Sequence, residues 1–201
     1  MDEMRLINRV ELRGTVPEPP RYSHESRGER FYRFPIETER LSGTRDIVNV
    51  VARASLIEGL TLDGGSKLSI RGELRSFNNK SGEGPKLIIT VFARELFFDD
   101  GDDVNRIILN GFLCKQAILR TTPMGREICD IMLAVNRHYG RSDYLPCIAW
   151  GLGAKRASEW PVGTAIQLAG RLQSRKYTKN IDGEAVEKTA YEVSITELEC
   201  E

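Results

Sequence analysis

The chain has 201 residues, of which 40% are hydrophobic, and its 29 basic side chains balance its 29 acidic ones. This length suits two domains of about 100 residues each, and the composition supports two small cores. No apolar run approaches the roughly 20 residues that a membrane span requires, so we expect no contact with a membrane.

The cysteines and histidines offer little material for a reactive centre. The four cysteines lack metal-ligand spacing and there are two histidines, so we expect no metal, no cofactor and no catalytic triad. Cys129 and Cys147 lie inside apolar strand patterns, which is typical of reduced core thiols in a cytosolic protein.

The sequence contains two copies of one unit. The motif NRVELRG at residues 8–14 returns 97 residues later as NRIILNG, and the segment 65–76 returns 98 residues later at 163–174. A register kept over about 70 residues indicates an internal repeat. The acidic, turn-prone segment 99–103 separates the copies, so we predict two domains, residues 1–99 and residues 104–201.

Each copy follows one plan of three strands, a short helix and two strands. Alternating apolar residues in the first copy predict these elements: strands near 6–16, 31–40, 46–53, 66–77 and 86–96, and a helix near 54–61. The second copy gives the equivalent series: strands beginning at Ile107 and Cys129 around a basic loop at 119–126, a strand at 144–150, a helix at 151–160, and strands at 165–177 and 190–198. This plan predicts an all-β chain of two tandem OB-folds, which are five-stranded Greek-key barrels.

The second copy resembles the bacterial single-stranded DNA-binding protein family over essentially its whole length. The matching segments occur in the family's order: NRIILNG at 105–111, RTTPMG at 120–125, LAVNR at 133–137, DYLPCIAWG at 143–151 and GRLQSRKY at 170–177. The first copy is more faintly similar to the same family, through NRVELRG at 8–14, FYRFPI at 31–36 and GELRS at 72–76.

Two aromatic side chains fall on the outer face of the third strand of the second copy. Because side chains alternate along a strand, Leu145, Cys147 and Ala149 face the core, and Tyr144 and Trp150 face outward. Binding an unpaired strand without reading its sequence requires rings that stack on bases and cations that follow the phosphates. The resemblance implies that four aromatic residues stack on bases: Tyr139, Tyr144, Trp150 and Tyr177.

Basic side chains accumulate in the same copy. Residues 104–181 hold twelve Lys and Arg against four Asp and Glu, whereas residues 182–201 hold one Lys and seven acids. A basic stretch within one domain is typical of nucleic-acid contact, although it is as common on a solvated face. We expect phosphate contacts from six cations: Lys115, Arg126, Arg137, Arg171, Arg175 and Lys176.

The first copy lacks the aromatic set. At the three equivalent strand positions it has Ile47, Arg53 and Asn79, and Phe77 is the one aromatic residue expected nearby. We therefore predict that the second copy supplies most of the binding energy. The first copy would serve as a scaffold, a weak electrostatic extension or an assembly surface.

The resemblance implies a non-enzymatic, sequence-independent binder of single-stranded DNA in replication, recombination or repair, located in the bacterial cytoplasm at the nucleoid. Family members usually assemble four barrels, so two barrels in one chain suggest a homodimer, with another arrangement or a monomer as the alternatives. Most members continue into a flexible tail whose acidic, Phe-containing tip recruits partner proteins. This sequence stops at residue 201, directly after the last predicted strand, so we expect the usual tip to be absent.

Two other functions stay open. A primosome-type accessory protein would use related barrels, lack the recruiting tail and hand off a helicase loader while bound to single strands. A protein-interaction module would keep the fold without a nucleic-acid ligand, which fits the divergent first copy. The aromatic set favours the single-strand binder, and the missing tail favours the primosome-type protein.

Overall fold

The computed structural model describes residues 7–79, 85–138, 140–181 and 184–200, without the side chains of residues 177, 179, 181 and 184. The N-terminal elements are β1 (Asn8–Thr15), β2 (Arg21–Ser26), β3 (Glu29–Glu39), β4 (Arg45–Arg53), α1 (Ala54–Ile57), β5 (Lys67–Asn78) and β6 (Leu87–Phe98). The C-terminal elements are β7 (Val104–Leu113), β8 (Ile118–Thr121), β9 (Glu127–Asn136), β10 (Ser142–Trp150), α2 (Gly151–Ser158), β11 (Ala165–Ile181) and β12 (Glu184–Cys200). Neither helix is long and apolar enough to cross a membrane.

The chain divides into two compact units. The first barrel comprises Arg9–Arg75 and Ile89–Arg106, and the second barrel comprises the described parts of Met1–Asn8, Ser76–Ile88 and Ile107–Glu201. The end of β5 and the start of β6 therefore group with the second barrel. The division into residues 1–99 and 104–201 stays a prediction.

Each unit has the strand order of the predicted OB-fold. In the second barrel the order is β7-β11-β12-β10-β9-β8, and β7 pairs back onto β9, which closes a barrel of five strands with β8 attached outside it. The β10–β12 pair is parallel, with Cys147 opposite Val193. The first barrel has the order β2-β3-β4-β6-β5-β1, closed by β1 on β3.

The core of the second barrel comes from the inward positions of its strands. Its largest fully buried side chains are aliphatic: Ile107, Leu109, Leu113, Leu133, Leu145 and Ile166. Helix α2 packs on β9 and β10 and buries Ala154 and Ala157. Burial of this apolar surface is the main favourable contribution to folding of the barrel.

Several element boundaries differ from the prediction. The predicted loop at 119–126 contains β8, which pairs with β9 around a turn closed by Thr122 and Arg126. Helix α1 is one turn long, and α2 ends at Ser158. The last two strands extend to Ile181 and back from Glu184 as a paired ribbon. Most of its residues are polar, so the alternation that predicts a half-buried strand is missing there.

The two predicted core cysteines are buried free thiols. Cys129 lies in β9 and Cys147 in β10, and both are at most 1% exposed. Burial in apolar surroundings raises the pKa of both thiols, most strongly that of Cys147, where the charge of Glu192 adds to the effect. Neither thiol has the exposed, electropositive surroundings of a reactive cysteine.

A glycine at the same position in each barrel allows two strands to approach closely. A Cβ on Gly170 of β11 would fall within 3.0 Å of the carbonyl oxygen of Ser194 in β12, where the pairing register shifts. Gly72, 98 residues earlier, meets the carbonyl oxygen of Phe92 in the same way. The repeated glycine is thus a requirement of the barrel.

One ion pair is also repeated. In the first barrel Arg40 donates two hydrogen bonds of 2.6 Å to Asp46, whose side chain is 1% exposed. In the second barrel the Arg137 Nε donates to Asp143 at 2.6 Å, and Asp143 is fully buried. Asp143 also accepts from the backbone N–H of Ser76, and Arg137 donates to the Ser76 carbonyl at 3.1 Å.

We predict that Gly170→Ala destabilises the second barrel by about 2–3 kcal/mol, because the new methyl group meets backbone that cannot move aside. Gly153→Ala is the matched control, since its Cβ would meet nothing within 4 Å and it lies in α2. The control is expected to gain about 0.5–1 kcal/mol from helix propensity. Urea unfolding followed by tryptophan emission checks both, and equal effects of the two variants would contradict the packing argument.

We predict that Asp143→Asn lowers the free energy of unfolding by about 3 kcal/mol, because it leaves a partly buried guanidinium without its counter-charge. Asp130→Asn breaks the Arg120 pair, in which both side chains are about 40% exposed, and is expected to lose at most about 1 kcal/mol. The same urea titration measures both. A loss from Asp143→Asn no larger than that from Asp130→Asn would refute a structural role for this pair.

Candidate nucleic-acid interface

The outer face of the second barrel is formed by three neighbouring strands. Cross-strand pairing places these residues on it: Tyr144, Pro146, Ile148 and Trp150 of β10, Ala190, Glu192 and Ser194 of β12, and Arg171, Gln173 and Arg175 of β11. Leu145, Cys147 and Ala149 alternate with the β10 set and are at most 1% exposed. The predicted inward and outward sets are therefore both found. Tyr144 and Trp150 lie six residues apart, or about 20 Å along the strand.

Trp150 is held in place on the outer face. Its indole Nε1 donates a hydrogen bond of 3.1 Å to the Ser194 hydroxyl, which is buried in β12. The side chain nevertheless keeps 38% of its surface exposed. A ring with one edge fixed and one face open is suited to stacking, because ordering it on binding requires little further loss of entropy. The sequence pattern does not predict the role of Ser194 in holding this ring.

Tyr144 is the more open of the two rings, with 51% of its surface exposed. Its backbone N–H donates to the Ser76 hydroxyl at 2.8 Å, next to the buried Asp143. These contacts hold the backbone of β10 at the ring position. Phe77 follows Ser76 in the same compact unit and is 50% exposed. The repeat predicts Phe77 in the first copy, because the repeated sequence alone gives no sign of this grouping.

Of the other two predicted aromatic residues, the structure describes the backbone of one. Tyr139 and the side chain of Tyr177 lie outside the described residues. The backbone of Tyr177 lies in the β11–β12 ribbon, opposite Lys188. Stacking by these two residues stays a prediction.

The predicted cations of β11 are accompanied by acids. Arg175 is half-exposed, and its Nε lies 3.7 Å from the Glu192 carboxylate. Lys176, on the other face of the strand, pairs with Glu187 at 3.0 Å. Arg171 is partly buried opposite Ser194. The structure thus brings Arg171 and Arg175 onto the outer face with Tyr144 and Trp150.

The remaining predicted cations lie elsewhere in the second barrel. Lys115 is exposed between β7 and β8, and Arg126 is exposed at the β8–β9 turn. Within the described ranges no carboxylate lies at ion-pairing distance from either side chain. Arg137 is engaged by Asp143 and Ser76. Its equivalent Arg40 is paired in the same way, and this repetition, visible in the sequence, favours a role in folding over one in binding.

On the equivalent face of the first barrel, arginine side chains lie over an aromatic ring. Arg53 occupies the position of the second barrel's tryptophan and lies 5.9 Å from the centre of the Phe92 ring, while Arg94 lies 4.8 Å from it. Arg94 also pairs with Glu73 at 3.2 Å, and Phe92 contacts the ring of Phe31 at 6.0 Å. The expectation that Phe77 is the one aromatic residue near this face was wrong, because Phe31 and Phe92 enter it from strands whose pairing the sequence does not reveal.

Comparison with known proteins gives the family. The model of the Single-strand binding protein family matches residues 104–200. The chain is 31% identical over 90 residues to Single-stranded DNA-binding protein 3 of Streptococcus agalactiae serotype V, which covers 41% of this chain and 64% of that protein. It is 33% identical over 90 residues to Single-stranded DNA-binding protein 1 of Streptococcus pyogenes serotype M18, which covers 41% of this chain and 68% of that protein. Across such relatives the chain spans between 55% and 68% of their length.

Solved structures extend the likeness to the whole chain. A deletion variant of the single-stranded DNA binding protein from Thermus aquaticus is 25% identical, with a TM-score of 0.76 over 97% of this chain and 94% of that chain. The wild-type protein from the same organism has a TM-score of 0.78 at 24% identity and shares the fold. The chain belongs to the Single-strand binding protein family.

Proposed function

We propose that this protein binds single-stranded DNA without reading its sequence, through the outer face of the second barrel. The observation that carries the proposal is the pair of exposed rings, Tyr144 and Trp150, on a face whose counterpart in the first barrel carries arginines over an aromatic ring. Bases of an unpaired strand would stack on the rings, and Arg171 and Arg175 would follow the phosphates. Members of the family are binding proteins, and the relatives are named for binding single-stranded DNA. A role in replication, recombination or repair is part of the proposal.

Stacking supplies most of the proposed binding free energy. A base stacked on an aromatic ring contributes about 1–3 kcal/mol. Arg175 already faces the carboxylate of Glu192, so its charge is partly compensated before a phosphate arrives and the net gain from this cation is small. Release of counterions along the strand adds a salt-dependent contribution.

The first barrel serves as a scaffold in this proposal. Its arginines Arg53 and Arg94 lie over Phe92 and are paired with acids, so base stacking there would displace contacts already made within the barrel. It retains a weak electrostatic contribution through other surface arginines. Single-stranded DNA would therefore bind to the second barrel before it contacts the first.

Assembly and location extend the proposal. Two barrels per chain support a homodimer that presents four barrels, acting in the cytoplasm at the nucleoid. Light scattering gives the mass in solution, and a dimer is the expected result. Recruitment of partner proteins through an acidic tip is not part of the proposal.

We predict that Tyr144→Ala and Trp150→Ala each weaken binding to oligo-thymidine by about 1–3 kcal/mol, or roughly 5- to 150-fold in Kd, because each removes one stacking surface. Tyr22→Ala is the matched control, since Tyr22 is a 57% exposed tyrosine of β2 in the first barrel. It is expected to change Kd by less than about twofold. Fluorescence anisotropy of a labelled oligonucleotide measures all three.

Two results would contradict the proposal. One is the absence of binding to oligo-thymidine by the unmodified chain at low salt. The other is a loss from Tyr22→Ala as large as that from Tyr144→Ala, which would place the strand on both barrels equally. Circular dichroism of each variant controls for folding.

A further inference from the structure

A buried carboxylate lies in the middle of the outer face. Glu192 of β12 is 5% exposed, directly opposite Gln173 of β11. The Gln173 Nε2 donates a hydrogen bond of 3.0 Å to the Glu192 Oε1. The Arg175 Nε lies 3.7 Å from the same oxygen. A buried acid on a surface proposed to meet phosphates is unexpected, because it repels them and is costly to desolvate.

The charge of Glu192 acts well beyond its own strand. The hydrogen bonds that Arg120 of β8 donates to Asp130 raise the pKa of its guanidinium, burial lowers it by less, and the charge of Glu192 raises it further. The same charge contributes to the raised pKa of the Cys147 thiol in β10. The charge of this carboxylate therefore acts on groups of β8 and β10 as well as on Arg175 of β11.

The barrel does not require an acid at this position. In the parallel strand pairs of the two barrels, Val193 corresponds to Val91, so Glu192 corresponds to Thr90. Thr90 is also buried, at 7% exposed, and is neutral. By the 98-residue repeat, Arg175 corresponds to Phe77. The acid and its arginine thus occur together in the second barrel, and neither occurs at its counterpart position in the first.

We propose that Glu192 is an internal counter-anion that competes with the phosphates of a bound strand for Arg175 and so limits the affinity of the site. The proposal rests on the proposed single-strand function. Glu192 is buried and held by Gln173, so it stays in place when a strand arrives. The Arg175 side chain is 51% exposed, so a phosphate reaches it from the open side. The guanidinium is shared between the two anions, and each phosphate contact is weaker than it would be without the acid.

The test is the affinity of Glu192→Gln for oligo-thymidine, measured by anisotropy at two salt concentrations. Glutamine keeps the shape and can still accept from Gln173. We expect binding to tighten by about 3- to 10-fold at low salt, and by less at high salt as charges are screened. Glu187→Gln is the matched control: it removes the same charge from the same strand, but at a 64% exposed position beside Lys176. It is expected to change Kd by less than about twofold.

A double-mutant cycle shows whether the effect passes through Arg175. Glu192→Gln is combined with Arg175→Gln, and the gain is expected to disappear in the combined variant. A gain in affinity that persists without Arg175 would overturn the proposed competition. It would mean that Glu192 acts by repelling the DNA phosphates directly. If the unmodified chain binds and Glu192→Gln leaves Kd unchanged or raises it, the counter-anion is refuted while the proposed function stands.

Folding is controlled separately. Thermal unfolding of each variant is followed by circular dichroism, and Glu192→Thr is the second variant because threonine is the residue that the first barrel carries at this position. It is expected to tighten binding as glutamine does. A folded Glu192→Thr variant with unchanged or weaker binding would overturn the proposal. Failure of the unmodified chain to bind any oligo-thymidine would instead defeat the proposed function itself.

Discussion

The site depends on the alternation of side chains along β10. Leu145, Cys147 and Ala149 are buried in the barrel, and Tyr144 and Trp150 face outward. A shift of pairing by one residue would expose this core and bury Tyr144 and Trp150, so the packing of the interior fixes the outward direction of the rings. The closed barrel then holds the strand rigidly, and the hydrogen bond from Trp150 to Ser194 fixes the ring that lies nearest α2.

Charge on the outer face is balanced within the barrel. The acidic end of the sequence forms β12, which lies directly beside the cations of β11. Glu187 and Glu192 therefore accompany Lys176 and Arg175. A protein of zero net charge can in this way present a basic β-strand without a strong nonspecific electrostatic field. Stacking on the rings, rather than charge, would then decide where single-stranded DNA binds.

The sequence predicted what depends on local pattern and on repetition. The repeat and the alternation predicted two barrels, the strand order along the chain and the outward positions of Tyr144 and Trp150. They did not predict interactions between distant residues, such as the hydrogen bond from Arg137 to the Ser76 carbonyl across 61 positions of sequence. The burial of Glu192 also escaped prediction, because an acid at an outward strand position is ordinarily solvated. The Arg53 and Phe92 contact depends on strand pairing that no single strand encodes.

The most direct test follows the emission of Trp150 itself. Substituting Trp160→Phe leaves Trp150 as the one tryptophan, because the chain contains two. Titration with oligo-thymidine is expected to quench this emission in parallel with the anisotropy of the labelled strand, and the titration should shift to higher concentrations as salt rises. A strand that binds by anisotropy while the emission of Trp150 stays unchanged would contradict stacking on the outer face of the second barrel.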